Sequence, residues 1–195
     1  MLKLIFVYVG WWIVTGIFAI PLYAAEVTFT VTDATGKPFP DAVVALFDGK
    51  SAALTTTANT KIVQKNKQFN PGVTVVQTGT LIHFPNEDTV RHHVYSFSPA
   101  KKFELKLYRG VAANPVQFDQ AGVVSLGCNI HDSMIGYIYV LDTPFFAKTD
   151  SQGQAVLTVA DGQYTYQVWP AGRLKPSVEQ KQHINGATAI KVNLP

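Results

Sequence analysis

From about position 26 onward the chain is a succession of short apolar or alternating runs separated by turn residues, and this pattern constrains the fold most. Residues 26–32 alternate between apolar and polar side chains and stop at a turn over 33–38, and residues 41–47 form a second run that ends at Asp48 and Gly49. Further runs of this kind cover residues 73–76, 80–84, 94–97, 103–108, 123–126, 136–141, 155–159, 164–169 and 187–192. Strands at this spacing predict an all-β sandwich.

Segments with the periodicity of a helix are nearly absent. Residues 55–67 are polar and carry no strong signal, so they fit either a linker or one short helical turn.

The first 25 residues differ from the rest of the chain. Lys3 is followed by an uncharged, strongly apolar stretch over residues 4–25, which holds a helix breaker at Pro21 and ends in two alanines. This pattern predicts an export signal over residues 1–25. The alternative is an uncleaved membrane anchor, because the stretch is long for a signal and approaches the roughly 20 residues that span a bilayer. Both interpretations place residues 26–195 outside the cytoplasm, in the periplasm or an equivalent compartment.

The net charge and the cysteine content exclude some classes of function. The formal net charge of +3 is too small for the basic surface that nucleic-acid binding requires, so no nucleic-acid partner is expected. The single cysteine, Cys128, cannot form an internal disulfide. Oxidising compartments disfavour idle thiols, which favours a ligand role for this cysteine.

Cys128 begins the pattern C-x2-H-x2-M, which continues through His131 and Met134. A thiolate, two imidazoles and a weak axial thioether form the donor set of a mononuclear blue-copper site. The second imidazole has to come from elsewhere, and the adjacent residues His92 and His93 are the candidates. Side chains alternate along a strand, so these two histidines are expected on opposite faces, and periodicity alone does not decide between them.

Other metal sites fit these residues less well. Zinc is usually bound by thiolate, imidazole and carboxylate rather than by a thioether. A binuclear copper site bridged by two thiolates needs a second cysteine, and a c-type haem needs a C-x-x-C-H motif, which the sequence lacks.

Over residues 70–142 the chain resembles a cupredoxin of the plastocyanin, pseudoazurin and amicyanin group. The short spacing between Cys128 and Met134 is similar to that of amicyanin, and residues 79–88 are similar to the family's strand and Asn-x-Asp loop. The resemblance implies a Greek-key cupredoxin sandwich and assigns the first ligand to His92, with His93 standing where the family has Asn. It also implies that Asn86 ties the upstream loop to the ligand loop. The implied ligand set for one copper ion is His92, Cys128, His131 and Met134.

The flanks resemble a different module. Residues 31–38 and 41–44 resemble the opening of carboxypeptidase-regulatory-like, or prealbumin-like, β-sandwiches, and residues 149–153 and 162–168 resemble their closing turn and strand. We therefore predict one flanking sandwich built from residues 26–55 and 143–195, with a cupredoxin domain over residues 56–142 inserted in it. The alternative is one continuous sandwich with extra strands. The whole arrangement also resembles exported proteins described as methylamine-utilisation proteins.

These observations predict an exported copper protein that carries single electrons between redox partners such as a dehydrogenase or a cytochrome. The alternatives are a copper storage or handling protein and a non-redox binding module. An enzyme is not expected, because no nucleophile–base pair is evident and a site closed by Met134 offers no open coordination position. No small-molecule substrate is expected, and the membrane is a partner only if residues 1–25 remain attached.

Overall fold

The computed structural model describes residues 24–50, 59–111 and 114–195. The predicted export signal therefore lies almost entirely outside the described residues, and Ala24 and Ala25 already belong to the first strand. All regular structure in the described residues is β-strand. None of these residues forms a helix with the length and hydropathy needed to span a bilayer. The prediction of an all-β sandwich architecture is confirmed.

Seven strands come from the two flanks of the chain. They are β1 (Ala24–Thr32), β2 (Val43–Phe47), β13 (Phe145–Lys148), β14 (Gln154–Ala160), β15 (Gly162–Trp169), β16 (Val178–Ile184) and β17 (Thr188–Asn193).

Ten strands come from the middle of the chain. They are β3 (Asn59–Lys61), β4 (Val63–Lys65), β5 (Gln68–Asn70), β6 (Val73–Gln77), β7 (Thr80–His83), β8 (His92–Ser98), β9 (Lys101–Tyr108), β10 (Val116–Phe118), β11 (Gly122–Leu126) and β12 (Gly136–Leu141).

The flanking strands form two sheets packed face to face, in the orders β14-β1-β17 and β13-β2-β15-β16. Strand β1 pairs antiparallel with β14 and parallel with β17, and its alternate residues are buried. We call the apolar cluster between the two sheets the flank core. Its members include Phe29, Leu46, Tyr164, Tyr166 and Ile184.

The middle strands enclose a second cluster, which we call the site core. Their sheets run in the orders β10-β7-β3 and β11-β12-β6, with the two-stranded ribbons β8-β9 and β4-β5 beside them. An isolated bridge between Tyr95 and Gly127 joins the middle of β8 to the residue that follows β11. The site core includes Phe84, Phe118, Ile138, Cys128 and Met134.

A third cluster, the shared layer, lies between the inner sheets of the two halves. Strand β12 shows how it arises, because Ile138 and Val140 point into the site core while Tyr139 and Leu141 point into the shared layer. The fully buried Trp169 packs there against Tyr139, with ring centroids 5.2 Å apart. The two halves therefore bury apolar side chains against each other as well as within themselves.

The expectation of a linker or a helical turn over residues 55–67 is wrong where the structure describes this stretch, since β3 and β4 lie within it. Residues 55–58 are outside the described residues. The strands escaped detection because their interior positions are partly polar: Gln64 is fully buried but donates through Nε2 to the Phe84 carbonyl oxygen at 3.0 Å. This bond lets a polar residue occupy a buried strand position, although the Gln64 Oε1 has no partner among the described residues.

Candidate metal centre

Three of the four predicted ligands meet at one end of the site core. His92, Cys128 and His131 each offer one ligand atom, and these atoms all lie within 4.8 Å of one another. The Cys128 sulfur is 3.9 Å from Nδ1 of His92 and 3.9 Å from Nδ1 of His131. Both imidazoles therefore turn the same kind of nitrogen toward the thiol.

The local chain path explains how Cys128 and His131 come together. Strand β11 is extended by the bridge between Gly127 and Tyr95, with hydrogen bonds of 3.1 and 3.0 Å in the two directions, and Cys128 follows at once. The chain then turns tightly, because the Met134 amide donates to the His131 carbonyl oxygen at 2.9 Å. Strand β12 begins just beyond, at Gly136. A short loop between two paired strands has few alternative conformations, so it holds its donors in place.

Burial differs among the four residues. His92 and Met134 are 0% exposed and Cys128 is 4% exposed, whereas His131 is partly exposed. Met134 belongs to the same apolar cluster as Cys128 and lines the same cavity, so a polarisable thioether lies in the wall of the site. His131 is thus the member of the group that faces solvent.

The orientation of the His92 ring is fixed by a hydrogen bond on the side away from Cys128. Its Nε2 lies 2.7 Å from Oδ2 of Asp88, a side chain that is 14% exposed. This bond occupies Nε2 and leaves Nδ1 facing Cys128. Removal from water raises the pKa of Asp88, but hydrogen bonds from the Lys67 amide, from His92 and from the Asn66 amide outweigh it and hold the pKa below its ordinary value. The carboxyl is therefore ionised at neutral pH.

His93 is placed on the other face of β8. Its Nε2 lies 2.8 Å from Oε1 of Glu104, its ring packs against Tyr95, and its Nδ1 is buried without a partner in the part of the chain that the structure describes. The pairing register between β8 and β9 shifts between His92 and Val94, which marks an irregularity at this point of the strand. Of the two candidate histidines, His92 is the one brought to Cys128.

Asn86 plays a different part from the one that the resemblance implied. Its Nδ2 donates to the carbonyl oxygens of Val90 and Tyr108, at 2.9 and 2.8 Å, and its Oδ1 accepts from the Asp88 amide at 3.0 Å. In the described residues these contacts tie the loop before His92 to the end of β9, not to the loop that carries Cys128. Asn86 orders the Asp88 loop.

A buried polar network closes the site core beside Cys128. The Tyr108 hydroxyl and Gln64 Nε2 both donate to the Phe84 carbonyl oxygen, and Gln64 Nε2 also donates to the Tyr108 oxygen. Burial raises the pKa of Tyr108 to about 12, the hydrogen bond from Gln64 lowers this pKa, and the proximity of Cys128 raises it. Tyr108 and Gln64 were absent from the sequence-based site, because nothing in their local pattern marks them.

The donor set decides which ions suit this cluster. One cysteine sulfur and two imidazoles with ligand atoms within 4.8 Å of one another, and a thioether in the apolar wall, fit copper better than magnesium or calcium, which take oxygen ligands. The sulfur and nitrogen donors also bind zinc, but a buried methionine adds nothing for zinc. The residues present therefore fit a mononuclear copper ion.

Comparisons with known proteins find similarity to solved copper proteins over about half of the chain. A reduced-state amicyanin mutant is 16% identical with a TM-score of 0.38, and covers 50% of this chain and 99% of its own. The oxidised state of another amicyanin mutant is 19% identical with a TM-score of 0.39, over 52% of this chain and 99% of its own. The Cu-containing nitrite reductase (NirK) from Thermus scotoductus SA-01 is 21% identical with a TM-score of 0.40, over 47% of this chain and 25% of its own. No protein-family model and no curated protein matches the chain.

Proposed function

We propose that this chain is a mononuclear type 1 copper protein of the cupredoxin kind that carries single electrons between exported redox proteins. The observation that supports it is the convergence of His92, Cys128 and His131, with ligand atoms within 4.8 Å of one another, at a buried site whose wall contains Met134. When bound, copper would supply one-electron exchange between Cu(I) and Cu(II).

Each residue has a separate task in this proposal. Cys128 supplies the thiolate, the most covalent of the four donors, and its burial beside Met134 keeps water from the sulfur. His92 is fully buried and would bind the ion from the interior of the protein. His131 is partly exposed, so its ring offers an electron a short route to a docked partner.

The surroundings favour transfer over storage. Strands β8, β11 and β12 fix the loops that carry the donors, and Asn86 and Asp88 order the loop before His92. A site that is held in one geometry rearranges little when the charge of its ion changes, which is the property that electron carriers need. A store needs affinity but no such rigidity.

The wider setting is part of the same proposal. We propose that the chain is exported, that its partners are other exported redox proteins such as a dehydrogenase or a cytochrome, and that it performs no catalysis of its own. His92, Cys128, His131 and Met134 would together hold the ion and would leave no position for a substrate.

The proposal is tested by adding Cu(II) to the purified protein and recording its visible spectrum. We expect an intense absorption band from charge transfer between the Cys128 thiolate and Cu(II), and reversible voltammetry of the bound ion. The variant Cys128→Ser should lose the band, and His92→Ala and His131→Ala should lose or strongly alter it.

His93→Ala is the matched control, because it removes the adjacent imidazole from the same strand without touching the cluster. It should keep the band. Loss of the band in His93→Ala but not in His92→Ala would contradict the ligand set. A protein that binds zinc and gives no band with Cu(II) would refute the copper assignment, and bound copper without reversible voltammetry would refute the carrier role.

A further inference from the structure

We propose that Asp88 is a positioning residue that holds the His92 imidazole with its proton on Nε2 and, through its negative charge, favours Cu(II) over Cu(I) at the site. This inference rests on the proposed function and names a residue outside the ligand set.

The contact itself is short and enclosed. Asp88 Oδ2 lies 2.7 Å from His92 Nε2, and the ring of His92 is 0% exposed. Water therefore does not reach Nε2 while Asp88 is in place. Since the carboxylate only accepts, the imidazole has to donate from Nε2, and in the neutral ring this leaves Nδ1, which is directed at Cys128, without a proton. A neutral imidazole can offer a metal only the nitrogen that carries no proton.

The carboxylate is held by a separate part of the chain. The turn between β4 and β5 places Asn66 and Lys67 at φ 56° and 57°, and both backbone amides point at Asp88. The Asn66 amide donates to Oδ1 at 2.7 Å and the Lys67 amide donates to Oδ2 at 2.9 Å. Each carboxylate oxygen thus has its own backbone donor, so the group cannot rotate away from His92.

Among residues 24–50, 59–111 and 114–195, no lysine or arginine forms an ion pair with Asp88. The one basic side chain that contacts its carboxylate is the His92 imidazole, while neighbouring Glu87 is paired with Lys65 at 3.3 Å. The backbone amides that hold Asp88 carry no net charge. Its charge therefore acts on the imidazole and, through it, on the ion.

Second-layer carboxylates of this kind orient a ligating histidine and raise its basicity. A more basic donor and a nearby negative charge both stabilise the ion of higher charge, so Asp88 should strengthen the binding of Cu(II) more than that of Cu(I). The direction of the effect is toward a lower reduction potential.

The chain contains its own control pair. His93 and Glu104 form the same kind of contact one residue along, at 2.8 Å, but on the opposite face of β8 and with the Glu104 side chain 56% exposed. Glu104→Gln removes the same charge from a histidine–carboxylate pair without touching His92.

The first measurement needs no variant. Nitrogen and proton NMR of the metal-free protein, at a pH where the His92 ring carries a single proton, should show that proton on Nε2 and not on Nδ1. A single proton on Nδ1 would overturn the proposal. Because the protein is free of metal, this result does not depend on the proposed function.

The second measurement compares Asp88→Asn, Asp88→Ala and Glu104→Gln, each loaded with copper. Asp88→Asn keeps the shape and removes the charge, so the ratio of Cu(I) affinity to Cu(II) affinity should rise about tenfold, which corresponds to a reduction potential about 59 mV higher. Asp88→Ala should also release the Nε2 tautomer and weaken metal binding about 10- to 100-fold. Glu104→Gln should match the unaltered protein in both.

The outcomes separate the two proposals. If the unaltered protein gives the charge-transfer band but Asp88→Asn and Glu104→Gln have the same potential, the role of Asp88 is refuted and the copper function stands. If the band is absent from the unaltered protein, the copper function fails, and the NMR result still decides whether Asp88 fixes the tautomer. Asp88→Asn also covers the case in which Asp88→Ala does not fold.

Discussion

Gly153 occupies a turn in which one added methyl group would strike the backbone of another strand. Its φ is +70°, and a Cβ built there would lie 2.3 Å from the Val31 carbonyl oxygen and 3.1 Å from the Phe39 amide nitrogen. The same turn is bonded on both sides, since the Gly153 amide donates to Asp150 and its carbonyl oxygen accepts from Val31. The neighbouring strand cannot move aside without losing these bonds.

We therefore expect Gly153→Ala to destabilise the protein by about 1–2 kcal/mol from the left-handed backbone and about 1–3 kcal/mol more from the clash. Denaturant unfolding followed by fluorescence measures the change. Gly186→Ala is the control, because Gly186 has the same φ of +70° with nothing within 4 Å of an added Cβ. Equal losses in the two variants would show that the clash contributes nothing.

At the scale of single residues, the sequence predicted the metal ligands but not the residues that hold them in position. The spacing of Cys128, His131 and Met134 is local, so it could be read directly. The choice between His92 and His93 depends on which face of β8 points toward the core, at a place where the pairing with β9 is irregular. Alternation shows that the two side chains lie on opposite faces, but it does not show which face is buried. The contact from Asp88 depends on the β4–β5 turn, which is distant in sequence.

Strand β12 contributes side chains to both the site core and the shared layer, and Tyr139 lies on its shared-layer face. Tyr139 is 4% exposed, packs on Trp169 and donates from its hydroxyl to Gln167 Oε1 at 2.8 Å. Burial raises the pKa of Tyr139, and the Glu179 carboxylate raises it further. The hydroxyl therefore keeps its proton at a pH where an unfolded tyrosine has lost it.

This shift has a defined sign. A raised pKa in the folded state means that the stabilisation is complete below the unfolded pKa of about 10 and is lost as the pH rises above it. We expect the free energy of unfolding to fall from pH 10 upward, and to fall less steeply in Tyr139→Phe. Urea unfolding at a series of pH values tests this, and parallel curves for the two proteins would contradict it. Near neutral pH the variant should be about 0.5–1.5 kcal/mol less stable, because the bond to Gln167 is lost.

Strands with apolar or alternating sequences could be predicted from the sequence, whereas polar edge strands could not. The run over residues 136–141 matches β12, whose side chains are nearly all buried. Within the described residues, strand β16 pairs with β15 alone and exposes Glu179, Gln180 and Lys181 in succession, so its sequence shows no buried face. Its pairing with β15 over seven residues, from Val178 to Ile184, is what makes it a strand.

The division of the whole molecule into an inserted domain and a split flanking sandwich stays a prediction. The separate flank core and site core favour two domains. The shared layer argues against fully independent domains, because Tyr137, Tyr139 and Leu141 would be exposed if the middle of the chain were expressed alone. The sequence could not reveal this layer, since alternating strands with two apolar faces look the same whether one or two cores cover them.

We expect a polypeptide of residues 59–142 to fold and bind copper, but to be less stable than the full chain and to self-associate through the exposed shared layer. Visible spectra with Cu(II) and sedimentation of the fragment test this. Replacing Tyr139 and Leu141 by polar residues in the fragment should restore the monomer. A fragment that folds only when both flanks are added back would support one continuous sandwich instead.

Strands β2 and β13 lie side by side, with Phe145 opposite Leu46, although the whole middle of the chain separates them. The Thr143 hydroxyl donates to the Leu46 carbonyl oxygen across 97 positions, and the Thr149 hydroxyl accepts from the Ala42 amide across 107. During biosynthesis, at about 5–20 residues per second, β1 and β2 therefore emerge long before their partners exist. The middle strands pair with one another, so their partners are synthesised sooner. The half that contains the metal site can therefore fold before the C-terminal strands that complete the flanking sheets are synthesised.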